Sequence, residues 1–284
     1  MVNLIASDLD GTIIDRNNHI FESNLKAIKD INKKNIGFVI CTGKTYPIIK
    51  GLCSKFNASY VIFGNGNQII DLKTGKEIYK KLLTDDEISS CLDIAKKHNL
   101  HVHLYTDSSI ITEELKFMDL RNYNLQKHVA YQNSLGITIV QDIGLYLKFN
   151  KVNVFKLIIS AENDLSDIKS EILGNKNIDV TTIKKYGEYK DKVIDKEYEY
   201  LDVSPKGINK NAALNILKDY LKIDSSEVMA IGDNLNDIEM VKNSGIGVSV
   251  ANGYTELKQV AKYVTTNSVE TGGFAEAVYK FVKF

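Results

Sequence analysis

Short apolar runs alternate with longer amphipathic segments through the first eighty residues, which is the pattern of βα units feeding a parallel sheet. Residues 4–7 read as a strand, and 22–34 carry Leu25, Ile28 and Ile31 at three-residue spacing, giving one apolar helical face. A second strand is expected over 36–41. Ile48, Leu52 and Phe56 form a helical stripe at four-residue spacing, and 60–63 a third strand that Gly64, Asn65 and Gly66 end in a turn. The alternation returns late in the chain, with a helix over 209–221, a strand over 228–231, a helix over 237–243 and a strand over 246–250. The intervening stretch differs: Thr84 and Glu87 make a capping box, 101–105 and 155–159 read as strands, 164–173 as a helix, and Lys184, Lys185 and 190–196 as a solvated loop. The pattern predicts an α/β fold whose parallel-sheet core comes from 1–83 and 201–284, interrupted by an α+β domain over 84–200. Right-handed βαβ connections allow the outer pieces to close into one sheet.

Length agrees with this division, since 284 residues at ~150 per domain make about two domains. The 36 basic and 36 acidic residues cancel, leaving no surplus charge to draw the molecule to a nucleic acid backbone or an anionic membrane. A small ligand is the expected partner, bound by a monomer or a homodimer. No apolar run approaches the ~18 to 20 residues of a membrane-spanning helix, and the first residues lack the pattern of a signal peptide, so the expected location is the cytoplasm. Cys41, Cys53 and Cys91 are odd in number and lack metal-type spacing, which predicts reduced, packed thiols. His101 and His103 share a strand face by alternation alone, without a third ligand, and do not predict zinc.

Ligands of an open parallel sheet bind beyond the carboxyl ends of its strands. There the chain places Asp8-Leu9-Asp10-Gly11-Thr12 after the first strand and Thr42-Gly43-Lys44 after the second. Gly232-Asp233-Asn234-Leu235-Asn236-Asp237 follows the strand over 228–231. Four carboxylates at one edge would repel and raise one another's pKa unless a divalent cation sat among them, and oxygen ligands without His or Cys favour magnesium, Mg2+. Thr42 offers a hydroxyl, the Gly11 and Gly43 turns offer backbone N–H groups, and Lys210 lies near a helix start, so an anion site is implied as well. Phosphate fits both halves. Asp8 could attack phosphorus in line to form an aspartyl-phosphate, and Asp10 could protonate the leaving alcohol and then deprotonate the hydrolytic water.

Taken singly, Asp10-Gly11 is a turn, Asp233 and Asp237 are a helix cap and a solvated residue, and Lys210 is a surface lysine; their joint occurrence decides. Together they resemble the four motifs of the haloacid dehalogenase superfamily of phosphohydrolases. The long insertion, the Asn65-Gly66 turn and the Gly232-Asp233-x-x-Asn236-Asp237 run are similar to its Cof-type branch with a C2-type cap. The resemblance implies a Rossmann-like core and a cap that sets specificity. It implies a nucleophile at Asp8, an acid/base at Asp10 and phosphate contacts from Thr42, Gly43 and Lys210. Magnesium would be held by Asp8, the Asp10 carbonyl and Asp233, with Asn236 and Asp237 supporting that shell. Lys44 and Asn65 are candidate substrate contacts. Lys44 stands where relatives of this branch usually carry an arginine, keeping the charge but losing the planar fork. Lys206 is a second candidate for the phosphate lysine that suits the motif less well.

The activity implied is Mg2+-dependent hydrolysis of a small phosphate monoester, with sugar phosphates leading and phosphorylated cofactors next. A phosphomutase of the phosphomannomutase type is the nearest alternative, separable by bisphosphate-activated isomerisation. A non-catalytic sensor of phosphorylated metabolites is the other, and an intact Asp10 argues against it.

Overall fold

The structure, a computed structural model, describes every residue except 16, 116–135, 163 and 190–191. The chain divides into two compact units. One comprises Met1–Lys44, Ile49–Lys80 and Asn209–Phe284, the other Thr45–Ile48 and Lys81–Ile208.

Early in the chain the alternating pattern produces β1 (Leu4–Ser7), α1 (Glu22–Lys33), β2 (Gly37–Cys41), α2 (Tyr46–Phe56) and β3 (Tyr60–Phe63). Two strands that periodicity did not reveal follow, β4 (Gln68–Asp71) and β5 (Glu77–Lys80). They add to the sheet edge by antiparallel pairing, which tolerates one polar face and so lacks the apolar run that marks a central strand.

The second unit holds α3 (Asp85–Lys97), β6 (His101–Thr106), β7 (Ser109–Thr112), β8 (Gly136–Ile139) and α4 (Ile143–Phe149). It continues with β9 (Val154–Ala161), α5 (Ser166–Ile172), β10 (Ile178–Tyr189) and β11 (Lys192–Pro205). The Thr84–Glu87 capping box is formed, satisfying two backbone N–H groups at the start of α3. Its sheet runs β10-β11-β9-β6-β7-β8, and one face packs Leu104, Ile111, Leu157, Ile159 and Leu201 against Ile88, Cys91 and Ala95 of α3. Of the segment read as a solvated loop, 184–185 and 192–196 lie instead in two paired antiparallel strands, Lys184 in register with Glu199 and Lys185 with Tyr198, while 190 and 191 lie outside the described residues. A backbone ladder satisfies its own hydrogen bonds without an apolar run, so mixed charge alone did not reveal it. Since β11 continues to Pro205, the expected return to the core at 201 falls inside this strand.

The chain then completes the first unit with α6 (Lys210–Leu221), β12 (Val228–Gly232), α7 (Ile238–Lys242), β13 (Ile246–Ser249), α8 (Thr255–Val260), β14 (Tyr263–Val264) and α9 (Gly273–Phe281). The helix expected over 237–243 forms as α7, one residue shorter at each end, and a 3₁₀ turn, Leu235–Asp237, leads into it. The eight-stranded sheet has the order β14-β13-β12-β1-β2-β3-β4-β5, parallel from β14 through β3. β1 is central and buried on both faces. Leu4 and Ala6 pack with Val39, Ile62, Ala213, Leu214 and Leu217 on one side. Away from that side Phe38 meets Phe56 and Phe274 at ring distances of 6.4 and 5.9 Å. Each Leu, Val, Ile or Phe among them contributes about 1.5–3 kcal/mol on burial, which anchors β1 in the core.

Chain order reverses at β1. Successive strands run outward through β2 and β3 on one side and through β12, β13 and β14 on the other. Such a switch point opens a crevice at the carboxyl ends of the strands.

Candidate active site

Four strands of the first unit end at this crevice. Asp8 follows β1, Thr42 follows β2, the Gly64–Asn65 turn follows β3 and Asp233 follows β12. Asp8 is tied to the neighbouring strand by its N–H, which donates to Ile231 O at 2.9 Å, so the β1 and β12 ends are joined beside the crevice.

Lys210, in the first turn of α6, is 1% exposed. A lysine removed from water needs anionic partners to stay charged. It finds two, Asp8 Oδ1 at 2.6 Å and Asp237 Oδ1 at 2.7 Å. Asp237 is fixed from the other side too, its Oδ2 accepting the N–H groups of Asp233 (3.1 Å) and Asn234 (3.0 Å). The plain reading of Asp237 as a solvated helix residue therefore fails: the side chain is fully buried, and its carboxylate orients Lys210. Lys206 is exposed and lies in the second unit, its N–H bonded to Asn177 O.

Asp233 accepts a hydrogen bond from Thr12 Oγ1 at 2.9 Å. Carboxylate oxygens of Asp8, Asp233 and Asp237 lie within 4.8 Å of one another. Burial raises the Asp8 pKa well above the usual carboxylate range; Lys210 opposes the rise, and Asp237 and Asp233 add to it. Asp233 is pushed up to about 6, again by burial first and by Asp237 second. Burial, rather than the mutual repulsion expected from the sequence, is thus the larger cause. For Lys210 burial works against the charge, but Asp237 and Asp8 outweigh it and the pKa rises, so the ammonium keeps its proton. Three carboxylates against one ammonium leave an uncompensated negative charge in a set of hard oxygen donors, which suits Mg2+. Asp8 and Asp233 are the ligand candidates, because Asp237 is engaged through both oxygens by Lys210 and by backbone N–H groups.

Asp10 stands apart from this buried set. Its carboxylate is 47% exposed and pairs with Lys44, Nζ to Oδ1 2.5 Å. Thr42 is buried and its Oγ1 accepts the Lys44 N–H at 3.1 Å, which leaves the hydroxyl proton to point elsewhere. Gly43 lies close under Asn65, where a Cβ would come within 2.9 Å of Asn65 Oδ1. That same oxygen accepts from Asn236 Nδ2 at 3.0 Å, so Asn236 braces the Asn65 turn. One expected anion donor is engaged: the Gly11 N–H donates to Ile14 O at 2.8 Å and is not offered to a ligand.

Two further residues contribute across the sheet. Thr12 sits within the first motif, but its bond to Asp233 depends on β1 and β12 being neighbours. Asn252 donates to Gly11 O and accepts from Val269 N, both at 2.8 Å, and so holds the Gly11 turn; in sequence Asn252-Gly253 reads only as a turn. Cys41, Cys53 and Cys91 are buried and unpaired with one another, and burial pushes each thiol's pKa up, so they are packing groups. No described helix is long and apolar enough to cross a membrane.

Comparison with known proteins shows the family to which the chain belongs. Residues 5–278 match the family model described as haloacid dehalogenase-like hydrolase. Two curated Bacillus subtilis proteins, both named 5-amino-6-(5-phospho-D-ribitylamino)uracil phosphatase, are similar along their length. YcsE is 29% identical, covering 99% of this chain and 96% of its own, and YwtE is 27% identical, covering 94% of each. Among solved structures, a haloacid dehalogenase-like hydrolase from Bacteroides thetaiotaomicron superposes with a TM-score of 0.81 at 24% identity, over 99% of this chain and 100% of that one.

Proposed function

The chain belongs to the haloacid dehalogenase-like hydrolase family, and from its buried carboxylates we propose that it is a Mg2+-dependent phosphatase that hydrolyses a small phosphate monoester through an aspartyl-phosphate at Asp8. The observation that carries this reading is the pairing of Lys210 with Asp8 beside Asp233, at the carboxyl ends of the two strands flanking the switch point.

Lys210 holds one oxygen of Asp8 and directs the other toward phosphorus. The Thr42 hydroxyl, the Gly43 loop and Lys210 bind the non-bridging oxygens, and Asn65, braced by Asn236, borders the same loop. Asp10, exposed where the organic group would leave, protonates the departing alcohol. It then takes a proton from the water that attacks the phosphoaspartate, which returns Asp8 as a carboxylate and releases inorganic phosphate. Asp8, the Asp10 carbonyl and Asp233 would hold Mg2+, which would neutralise charge on the phosphoryl oxygens. The 84–200 insert is assigned the role of a cap that selects the organic part of the substrate. The substrate class favoured is a sugar or sugar-alcohol phosphate, since two relatives are named for a phosphorylated ribityl compound, with phosphorylated cofactors next. The setting proposed is the cytoplasm, as a monomer or homodimer.

The test is phosphate release from sugar phosphates, nucleotides and phosphorylated cofactors with Mg2+, beside Asp8→Asn. Release that the variant lacks is expected. Isomerisation of a sugar phosphate under a bisphosphate activator, without release, would make the protein a mutase instead; no turnover of either kind would make it a sensor.

A further inference from the structure

We propose that Lys44 is a positioning residue for Asp10: its ammonium, 2.5 Å from Asp10 Oδ1, fixes the carboxylate in the place from which it serves the leaving oxygen and the attacking water. The inference rests on the reading of Asp10 as the acid/base.

Asp8 and Asp233 are held by buried partners, whereas Asp10 is half exposed. Among the described residues Lys44 is the one side chain hydrogen-bonded to it. Without that partner a half-exposed carboxylate has several staggered rotamers open to it. An acid/base group must come within roughly 2.6–3.2 Å of the atom it serves, and a misplacement of about 1 Å costs on the order of a hundredfold in rate.

Lys44 is built to hold a position. Its side chain is 22% exposed, its N–H donates to Thr42 Oγ1 at 3.1 Å, and its carbonyl accepts from the Gly64 N–H at 3.0 Å. The Asn65 N–H adds a bond to Thr42 O at 3.0 Å. The loop that presents the Thr42 hydroxyl to phosphate therefore also carries the ammonium that holds Asp10. Phosphoryl group and acid/base are registered against each other through one braced segment. A half-exposed ion pair contributes little to stability, so placement is the effect left for it to have.

The experiment compares wild type with Lys44→Met and Lys44→Arg on two esters, glycerol phosphate, whose alkoxide leaves only when protonated, and p-nitrophenyl phosphate, whose phenolate leaves without help. In Lys44→Met, kcat/KM for glycerol phosphate is expected to fall about thirtyfold and that for p-nitrophenyl phosphate less than about threefold. KM should stay near wild type, and Lys44→Arg should restore most of the loss. Equal losses on both esters, or a rise in KM alone, would make Lys44 a phosphate or substrate contact and overturn the proposal, as would an unaffected Lys44→Met. Crystal structures of wild type and Lys44→Met decide the point without turnover. One Asp10 rotamer in wild type and a displaced or multiple carboxylate in the variant is expected, and the same single rotamer in both would overturn it. If wild type hydrolyses neither ester nor any other, the phosphatase reading falls while the structural comparison still judges the role of Lys44.

Discussion

Thr12 Oγ1 donates to Asp233 Oδ1 at 2.9 Å, a bond between residues 221 positions apart in sequence that exists because β1 and β12 are parallel neighbours. It orients a proposed metal ligand from behind. Outer partners of this kind typically change metal affinity or activity by about 10–100-fold when removed. Thr12→Val, nearly equal in volume, is expected to raise the Mg2+ concentration needed for half-maximal activity by about tenfold and to leave the KM for phosphate ester little changed. An unaltered Mg2+ titration would sink this role.

Gly11 has φ +83°, a left-handed conformation that suits glycine, and a Cβ there would collide with the Asp233 carboxylate. Gly11→Ala therefore combines backbone strain of order 1–3 kcal/mol with displacement of Asp233. Thermal unfolding should shift downward by several degrees, and activity should be lost beyond what the stability change explains. A folded variant with wild-type turnover would show that the turn has slack the geometry does not suggest.

Asp8→Asn separates chemistry from folding. The raised pKa of Asp8 means that the folded site disfavours its charge, so the ionised group costs stability increasingly as pH rises through the folded pKa, while below the unfolded pKa that cost is absent. The variant should lack turnover, yet unfold at a higher temperature than wild type without metal near neutrality, and the difference should shrink on acidification. Mg2+ should raise the midpoint of wild type by mass action and that of Asp233→Asn far less. A metal-free Asp8→Asn less stable than wild type would mean that the Lys210 pair outweighs burial and repulsion.

Much of this site was legible because its residues fall directly after strands whose apolar runs are unmistakable. Residues 4–7, 36–41 and 209–221 read almost as they fold, and Asp8, Thr42 and Lys210 could be placed from that alone. What was not legible depends on contacts across the sheet. Asn252 anchors the Gly11 turn from another strand end, the Gly11 N–H is spent on Ile14, and Lys44 reaches Asp10 from the adjacent loop. Elements without an apolar stripe were equally silent: β4 and β5 at the sheet edge, and the β10–β11 hairpin whose charges suggested a loop.

Glu276 of α9 is distant from the proposed chemistry in role, and it offers the clearest pH signature of the fold. Its carboxylate accepts from Tyr263 Oη (2.6 Å), the Thr266 N–H and Oγ1 (both 2.9 Å) and the Asn267 N–H and Nδ2 (2.9 and 2.7 Å), pinning α9 to the segment after β14. Burial alone would raise its pKa, but these donors prevail and lower it from 4.5 to about 2. A depressed carboxylate pKa contributes stability that is present above the unfolded value and lost as pH falls toward the folded one. Discounted for partial exposure, the contribution is roughly 1–2 kcal/mol. Glu276→Gln puts an amide nitrogen against donors it cannot accept from, so it should lower the midpoint of thermal unfolding by roughly 2–4 °C near neutrality. The gap should narrow between about pH 4.5 and pH 2 as the wild-type carboxylate is protonated. A gap that stays constant across that range would show that the loss comes from packing, and that the charge of Glu276 does not stabilise this corner of the sheet.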